Sequence, residues 1–232
     1  MLENLFSVGL FFTSFPTLLS RIHITLAIVA VAFIVGLIGG ILLAAARIYR
    51  LPFAAPAAAA YVSFIRGIPL LVLLYIVYIG LPLLAEAGGI HINRLDSLWF
   101  VMIAYSMNSA AFLSEIIRAA VKGIDGGQLE AAYAVGMTRR QAFSRIIVPQ
   151  ALRISLPSLG NNIISLLKDT SLAYTLGVID IVGVIKAISS NTYRSLEAYT
   201  AAAVIFFALS FLLERMFAKL QITLGIEQIK PQ

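Results

Sequence analysis

The sequence predicts an all-α integral membrane protein, and three observations carry that prediction. Hydrophobic residues make up 60% of the 232-residue chain, charged residues only 12%, and the mean hydropathy is +0.95. A soluble domain carries about twice that charged fraction. Five apolar runs have lengths suited to crossing a hydrocarbon core of about 30 Å at roughly 1.5 Å per helical residue. Lys and Arg collect on alternate connections between these runs, the pattern that marks a cytoplasmic face.

Residues 1–22 contain NLFSVGLFFTSFPTLLS, which is apolar but short, carries Pro16 and lacks the basic start and cleavage site of a signal peptide. They are expected to form an interfacial helix beside the first span; a sixth span is the alternative. Residues 23–220 read as one transmembrane domain and 221–232 as a cytoplasmic tail. Residues 24–46 hold no charge and form the first span, 67–85 the second and 97–114 the third. Residues 154–184 form the fourth, apolar but interrupted by Lys168, Asp169 and Asp180. The last, 198–213, is short unless Ser195 and Arg215 snorkel at its ends.

With five spans, one side receives Arg47, Arg50, Arg66, the basic residues from Arg118 to Arg153, and Arg215, Lys219 and Lys230. The other receives Arg21, Arg94, Lys186 and Arg194. The crowded side is expected to be cytoplasmic, with the amino terminus outside and the carboxyl terminus inside. The pI of 9.7 then reflects topology, and no nucleic-acid partner is expected. His23 and His91 are isolated and cysteine is absent, so no metal site is expected.

Between the third and fourth runs lies LEAAYAVGMTRRQAFSRIIVPQ, whose charges and alanines do not suit a span. Its spacing predicts two short helices. Asp125 and Gln128 stand at capping-box distance before the first, and Gly136 suits its left-handed end. Thr138 and Gln141 repeat the capping spacing before the second, which has Phe143, Ile146 and Ile147 on one side and Arg139, Arg140 and Arg145 on the other. Pro149 is expected to stop or bend the chain. So small a pair cannot bury its own apolar residues, and Ala131 and Ala132 allow a partner backbone to approach closely. A lipid-binding face would instead want Trp, Phe or Leu, so a protein partner is expected.

In the fourth run Asn161, Ser165, Lys168, Ser171 and Thr175 follow helical steps and share one stripe. Asp169 stands beside Lys168, and neighbours on a helix do not face each other. The third run sets Tyr105, Asn108, Ser109, Phe112 and Glu115 along one side. Ionisable groups within a span are costly and face protein or a water-filled cavity. Gly36 and Gly40 have the spacing that lets two helices approach closely, and Pro157 and Gly160 are expected to loosen the start of the fourth span.

EAAYAVGMTRRQAFSRIIVP resembles the EAA loop of the permease subunits of ABC-type importers, with Glu130, Ala131, Ala132, Gly136 and Pro149 in the family's positions. YVSFIRGIPLLVLLYIVYIGLP resembles the arginine-glycine-threonine-proline signature of the polar amino-acid branch through Arg66, Gly67 and Pro69, although Ile68 replaces the threonine. NSAAFLSEIIRAAVKGIDGGQLEAA and LPSLGNNIISLLKDTSLA also match that branch, most closely its cystine and related polar amino-acid members.

The resemblance implies a type I importer fold: five spans, with a coupling-helix pair at 126–148 docked on a separate ATPase. Glu130 would anchor that joint and Arg139 would take part; Glu130 can also serve as a helix-start carboxylate. ATP and magnesium would be held by the ATPase, since no G-x-x-x-x-G-K-[ST] loop occurs in this chain and it needs no cofactor of its own. A second permease copy, identical or related, and an extracytoplasmic solute-binding protein would complete the machine in a bacterial cytoplasmic membrane. Asn108 and Asp169 are the leading candidates for contact with an amino-acid substrate, with Asp169 facing its ammonium. Asn108, Thr170 or Ser171 would hold the carboxylate, and Lys168 is a further candidate. Arg66 is expected at the cytoplasmic start of the second span, bracing the coupling segment.

Two other classes make weaker use of these features. An ion-coupled secondary amino-acid transporter is the alternative reading, but it needs no alanine-rich docking pair and usually shows an internal repeat, which is not evident. A membrane enzyme would want a convergent His, Cys or carboxylate constellation, and none is apparent.

Overall fold

The computed structural model describes residues 6–92 and 94–225, and among them all regular structure is helical. In chain order the helices are α1 (Val8–Leu19), α2 (Ile22–Ile48), α3 (Ala54–Gly67), α4 (Leu70–Ala87), α5 (Ser97–Lys122), α6 (Gly127–Ala134), α7 (Arg139–Leu176), α8 (Ile181–Thr192) and α9 (Leu196–Thr223). Helices α2, α4, α5 and α9 are each long and apolar enough to cross a membrane. The pair α7–α8, bent by 50°, adds a fifth crossing if it is one broken span. Lys230 and most of the 221–232 tail lie outside the described residues.

Close packing sets the bundle's centre. Helix α2 carries Gly36, Gly39 and Gly40 against α5, where a Cβ on Gly36 would stand 2.4 Å from Ser109 Cβ and one on Gly40 3.0 Å from Leu113 Cβ. The glycine spacing thus finds its partner in the third span. Away from that contact α2 turns Ile34, Ile38 and Leu42 outward, all more than half exposed. Small residues inside and large aliphatic ones outside are what lipid selects, because acyl chains solvate leucine while only tight packing holds helices together.

Five helices (α2, α3, α4, α5 and α7) share the larger core around Ile28, Leu74, Tyr105 and Leu167. A second cluster joins α1, α8 and α9 through Leu18, Ile181, Ile185 and Ala201, and Phe206 and Leu209 border both. Helix α1 therefore packs on the last span and α8, correcting the expectation that it lies beside the first span. The cause is a polar tie invisible at the sequence level: the Ser7 backbone N–H donates to Glu197 Oε1 at 2.8 Å, and Glu197 is buried. At 12 residues α1 is about 18 Å long, short of a crossing.

Three further expectations are corrected. The second span, expected from residue 67, begins at Leu70: residues 54–67 form a helix of their own, with extended Ile68 and Pro69 separating it from α4. Pro149 does not stop the chain, because α7 widens into a π turn over Phe143–Ile147. There the Val148 N–H reaches back five residues to Phe143 C=O, which relaxes the turn that the proline ring would otherwise clash with. Pro157 and Gly160 likewise sit in unbroken helix, and Gly160 serves packing: a Cβ there would stand 2.8 Å from Phe217 Cγ on α9.

Replacing Gly36 with valine should cost about 1–3 kcal/mol, the usual penalty of overpacking, and lower the unfolding midpoint of the detergent-solubilised protein. Gly80→Ala, where a Cβ meets nothing within 4 Å, should leave the midpoint unchanged or raise it. Equal midpoints for the two variants would show that α2 and α5 can separate at little cost.

Candidate functional site

The segment at 126–148 is built from two differently made helix starts. Asp125 and Gln128 do not form the expected capping box: Asp125 Oδ1 accepts the Gly127 N–H at 2.9 Å, and Gln128 Oε1 lies 3.5 Å from Gln150 Nε2 instead. At the second start the box forms in full, with Thr138 Oγ1 accepting from the Gln141 N–H and Gln141 Oε1 from the Thr138 N–H. Between them Gly136 takes φ +82°, the left-handed conformation expected of it. The second helix is no separate unit but the first turns of α7, and α6 rests on it.

Seating α6 in this way sorts its residues. Ala132 is buried at 5% exposure, so the close approach it permits is to its own chain. Glu130, Ala131, Ala134 and Gly136 remain exposed, as does Pro149. Ile147 is buried, while Arg139 turns back with its guanidinium 5.6 Å from the centre of the Tyr49 ring.

Deeper in the bundle, Asn108 on α5 and Asp169 on α7 line one pocket of about 230 Å³, together with Asn162, Ser165, Phe112 and Ile68. Asn162 was not anticipated, since the stripe drawn from Asn161 passes it by. Its Oδ1 is buried without a hydrogen-bond partner among the described residues. Thr170 does not reach the pocket: it is fully buried and its hydroxyl donates to Leu167 C=O at 2.6 Å, a local bond that turns it inward. Lys168 and Ser171 also lie outside the pocket lining, and Lys168 is exposed. Asp169 marks the end of regular α-helix, and its carbonyl accepts the hydroxyl of buried Tyr105.

Arg66 is not at the coupling segment. It lies with its guanidinium 5.3 Å from the Phe112 ring centre, beside the middle of α5, where Tyr61 also donates its hydroxyl to Met107 C=O. Gly67 ends α3 and Pro69 caps α4, so this motif builds the break whose Ile68 lines the pocket. Glu115 joins Arg47 of α2 to Arg118 one turn along α5; the Arg118 Nη2 contact is 2.5 Å. The spacing of Glu115 and Arg118 was visible in the sequence, whereas Arg47 came only with the α2–α5 contact.

Residues 36–221 match the family described as binding-protein-dependent transport system inner membrane component. The chain belongs to this family. It is 39% identical over 216 residues to the L-cystine transport system permease protein TcyL of Bacillus subtilis (strain 168), covering 93% of this chain and 90% of the relative. Among solved structures, an amino acid ABC transporter crystallised with histidines superposes with a TM-score of 0.81 at 31% identity, covering 90% of this chain and 94% of that one. An inward-facing MetNI methionine ABC transporter shares the fold, with a TM-score of 0.70 at 19% identity over 94% of this chain and 99% of that one. This permease is therefore a multi-pass transmembrane subunit of an ABC importer, and the ion-coupled reading is set aside.

Within this permease the Arg47–Glu115 pair is 21% and 17% exposed, so solvent screens it only in part. A double-mutant cycle of Arg47→Ala and Glu115→Ala, read by unfolding in detergent, should give a coupling of about 1–2 kcal/mol. A value below about 0.5 kcal/mol would mark it as an ordinary surface pair.

Proposed function

We propose that this permease carries a polar amino acid, cystine among the first to test, during uptake driven by ATP hydrolysis on a separate subunit. One observation carries the reading: α7 runs from the second half of the coupling segment to the pocket, and α6 rests on its start. From Arg139 to Asp169, α7 runs without a break over roughly 45 Å at 1.5 Å per residue. A displacement imposed at its start therefore reaches Asp169 without crossing a hinge.

The remaining parts follow from that arrangement. Glu130, Ala131 and Gly136 offer an exposed docking surface to an ATPase, which would hold ATP and magnesium, since this sequence has no phosphate-binding loop. Asp169 would meet the substrate ammonium; Asn108, Asn162 and Ser165 would hold its carboxylate by hydrogen bonds. Exposed Asn161, Ser165 and Lys168 form a polar side that lipid would not solvate, which supports a second permease copy facing it across a wet pathway. A solute-binding protein would deliver substrate on the side of the amino terminus, placed outside the bacterial cytoplasmic membrane by the Lys and Arg distribution.

The decisive experiment reconstitutes the permease with its ATPase and binding protein in liposomes. Uptake should require ATP, and Glu130→Lys should abolish both uptake and ATPase binding. Uptake without ATP, or normal coupling in the variant, would overturn the coupling role. In the same assay Asp169→Asn should keep ATPase binding yet lower uptake about tenfold or more, the equivalent of about 1.4 kcal/mol of lost interaction. Unchanged uptake would remove Asp169 from the substrate's path.

A further inference from the structure

Helices α2, α5 and α7 part to leave an apolar cleft of about 310 Å³, bordered by Ile41, Ala45, Ala151, Leu152 and Leu159. Ser155 also borders it, but is buried and spends its hydroxyl on Leu152 C=O. Leu152 is 61% exposed and Ile41 49%, so the cleft opens sideways out of the bundle. At one end it adjoins a smaller cleft of about 150 Å³, with Ile48, Tyr49, Val121 and Phe143 bordering both.

The chemistry changes there. Arg139 and Asp125 both line the smaller cleft. Arg139 is held over the Tyr49 ring and Asp125 is fixed by the Gly127 N–H. Neither forms an ion pair among the described residues. A greasy slot open to the side and ending at one cation and one anion fits a molecule with an acyl chain and a zwitterionic head.

We propose that this is a site for an aminophospholipid of the phosphatidylethanolamine type, with an acyl chain in the α2–α5–α7 cleft, its phosphate at Arg139 and its primary ammonium at Asp125. Guanidinium suits phosphate because its fork of N–H donors matches two oxygens at once. The acyl chain leaves one apolar surrounding for another, so its burial contributes little selectivity. Discrimination therefore lies in the head. Phosphatidylglycerol offers Asp125 no cation, and phosphatidylcholine offers a cation without an N–H donor. The bound lipid would bridge α2 to the coupling segment, touching both the Tyr49 turn and the start of α7.

The test uses the assembled permease–ATPase–binding-protein complex in detergent, exposed to equal amounts of the three phospholipids, with retained lipid read by native mass spectrometry. Wild type should retain phosphatidylethanolamine about tenfold over either competitor, corresponding to about 1.4 kcal/mol. Asp125→Asn keeps an oxygen for the Gly127 N–H and should erase that preference. Leu152→Trp, at the exposed lip, should reduce retention of all three lipids. Equal retention by wild type, a preference for phosphatidylglycerol, or wild-type behaviour in both variants would each overturn the proposal. The chain has no cysteine, so Leu152→Cys gives a single attachment point for a photo-crosslinker. Crosslinking to the ATPase or a second permease copy in place of lipid would put protein in the cleft and also overturn it.

Discussion

The bundle is registered on the place where α2, bare of side chains at Gly36 and Gly40, touches α5. In water the hydrophobic effect would tolerate a looser contact, but in lipid the driving force is packing itself, so the absence of Cβ atoms at Gly36 and Gly40 sets the geometry. Because contact positions advance together along both chains, from Gly36 at Ser109 to Gly40 at Leu113, the two helices run in the same direction. That brings Arg47 within reach of Glu115 near their shared end. Helices α3, α4 and α7 then assemble on the remaining sides of α5, the most buried of the long helices.

Helix α7 reaches from the 126–148 segment to the pocket because two expected interruptions are absorbed locally. The π turn before Pro149 removes a hydrogen bond and a clash in one step, at the level where α6 leans on the helix. Gly160 lets Phe217 press against the backbone, so α9 supports the middle of α7 instead of kinking it. At the far end α7 tightens to a 3-10 turn over Thr170–Leu176, and Gly177 at φ +85° turns the chain toward α8. The break thus falls beyond Asp169, leaving the pocket on the rigid side.

The sequence made the long elements legible because hydropathy and length are local properties: α2, α5 and α9 overlap the runs expected at 24–46, 97–114 and 198–213. The Thr138–Gln141 capping box and the left-handed Gly136 were readable for the same reason. Errors arose wherever a distant residue decided. The seat of α1 depends on Glu197, the position of Arg66 on Phe112, and the inward turn of Ala132 on where α6 settles. Asn108 and Asp169, polar groups in otherwise apolar spans, were legible as a pair and line one pocket. Asn162 was passed over because the stripe through Asn161 runs one residue away, and a helical face is about two residues wide. The unpartnered Oδ1 of Asn162 is a property of the folded chain alone.

The acidic groups are held in different ways. Glu115 is held by two guanidiniums, Glu197 by the Ser7 N–H and Arg194, and Asp180 caps α8 through Oδ1 with the N–H groups of Val182 and Gly183, while its Oδ2 is buried without a partner among the described residues. Each of these carboxylates fastens one element to another or fixes a helix start, as a charge in a low-dielectric setting must. The Asp169 carboxylate has no hydrogen bond to a donor among the described residues, and it shares a pocket with an unsatisfied amide oxygen of Asn162. An N–H donor entering that pocket could pair with both oxygens, whereas an apolar group would leave them unpaired and meet their desolvation cost.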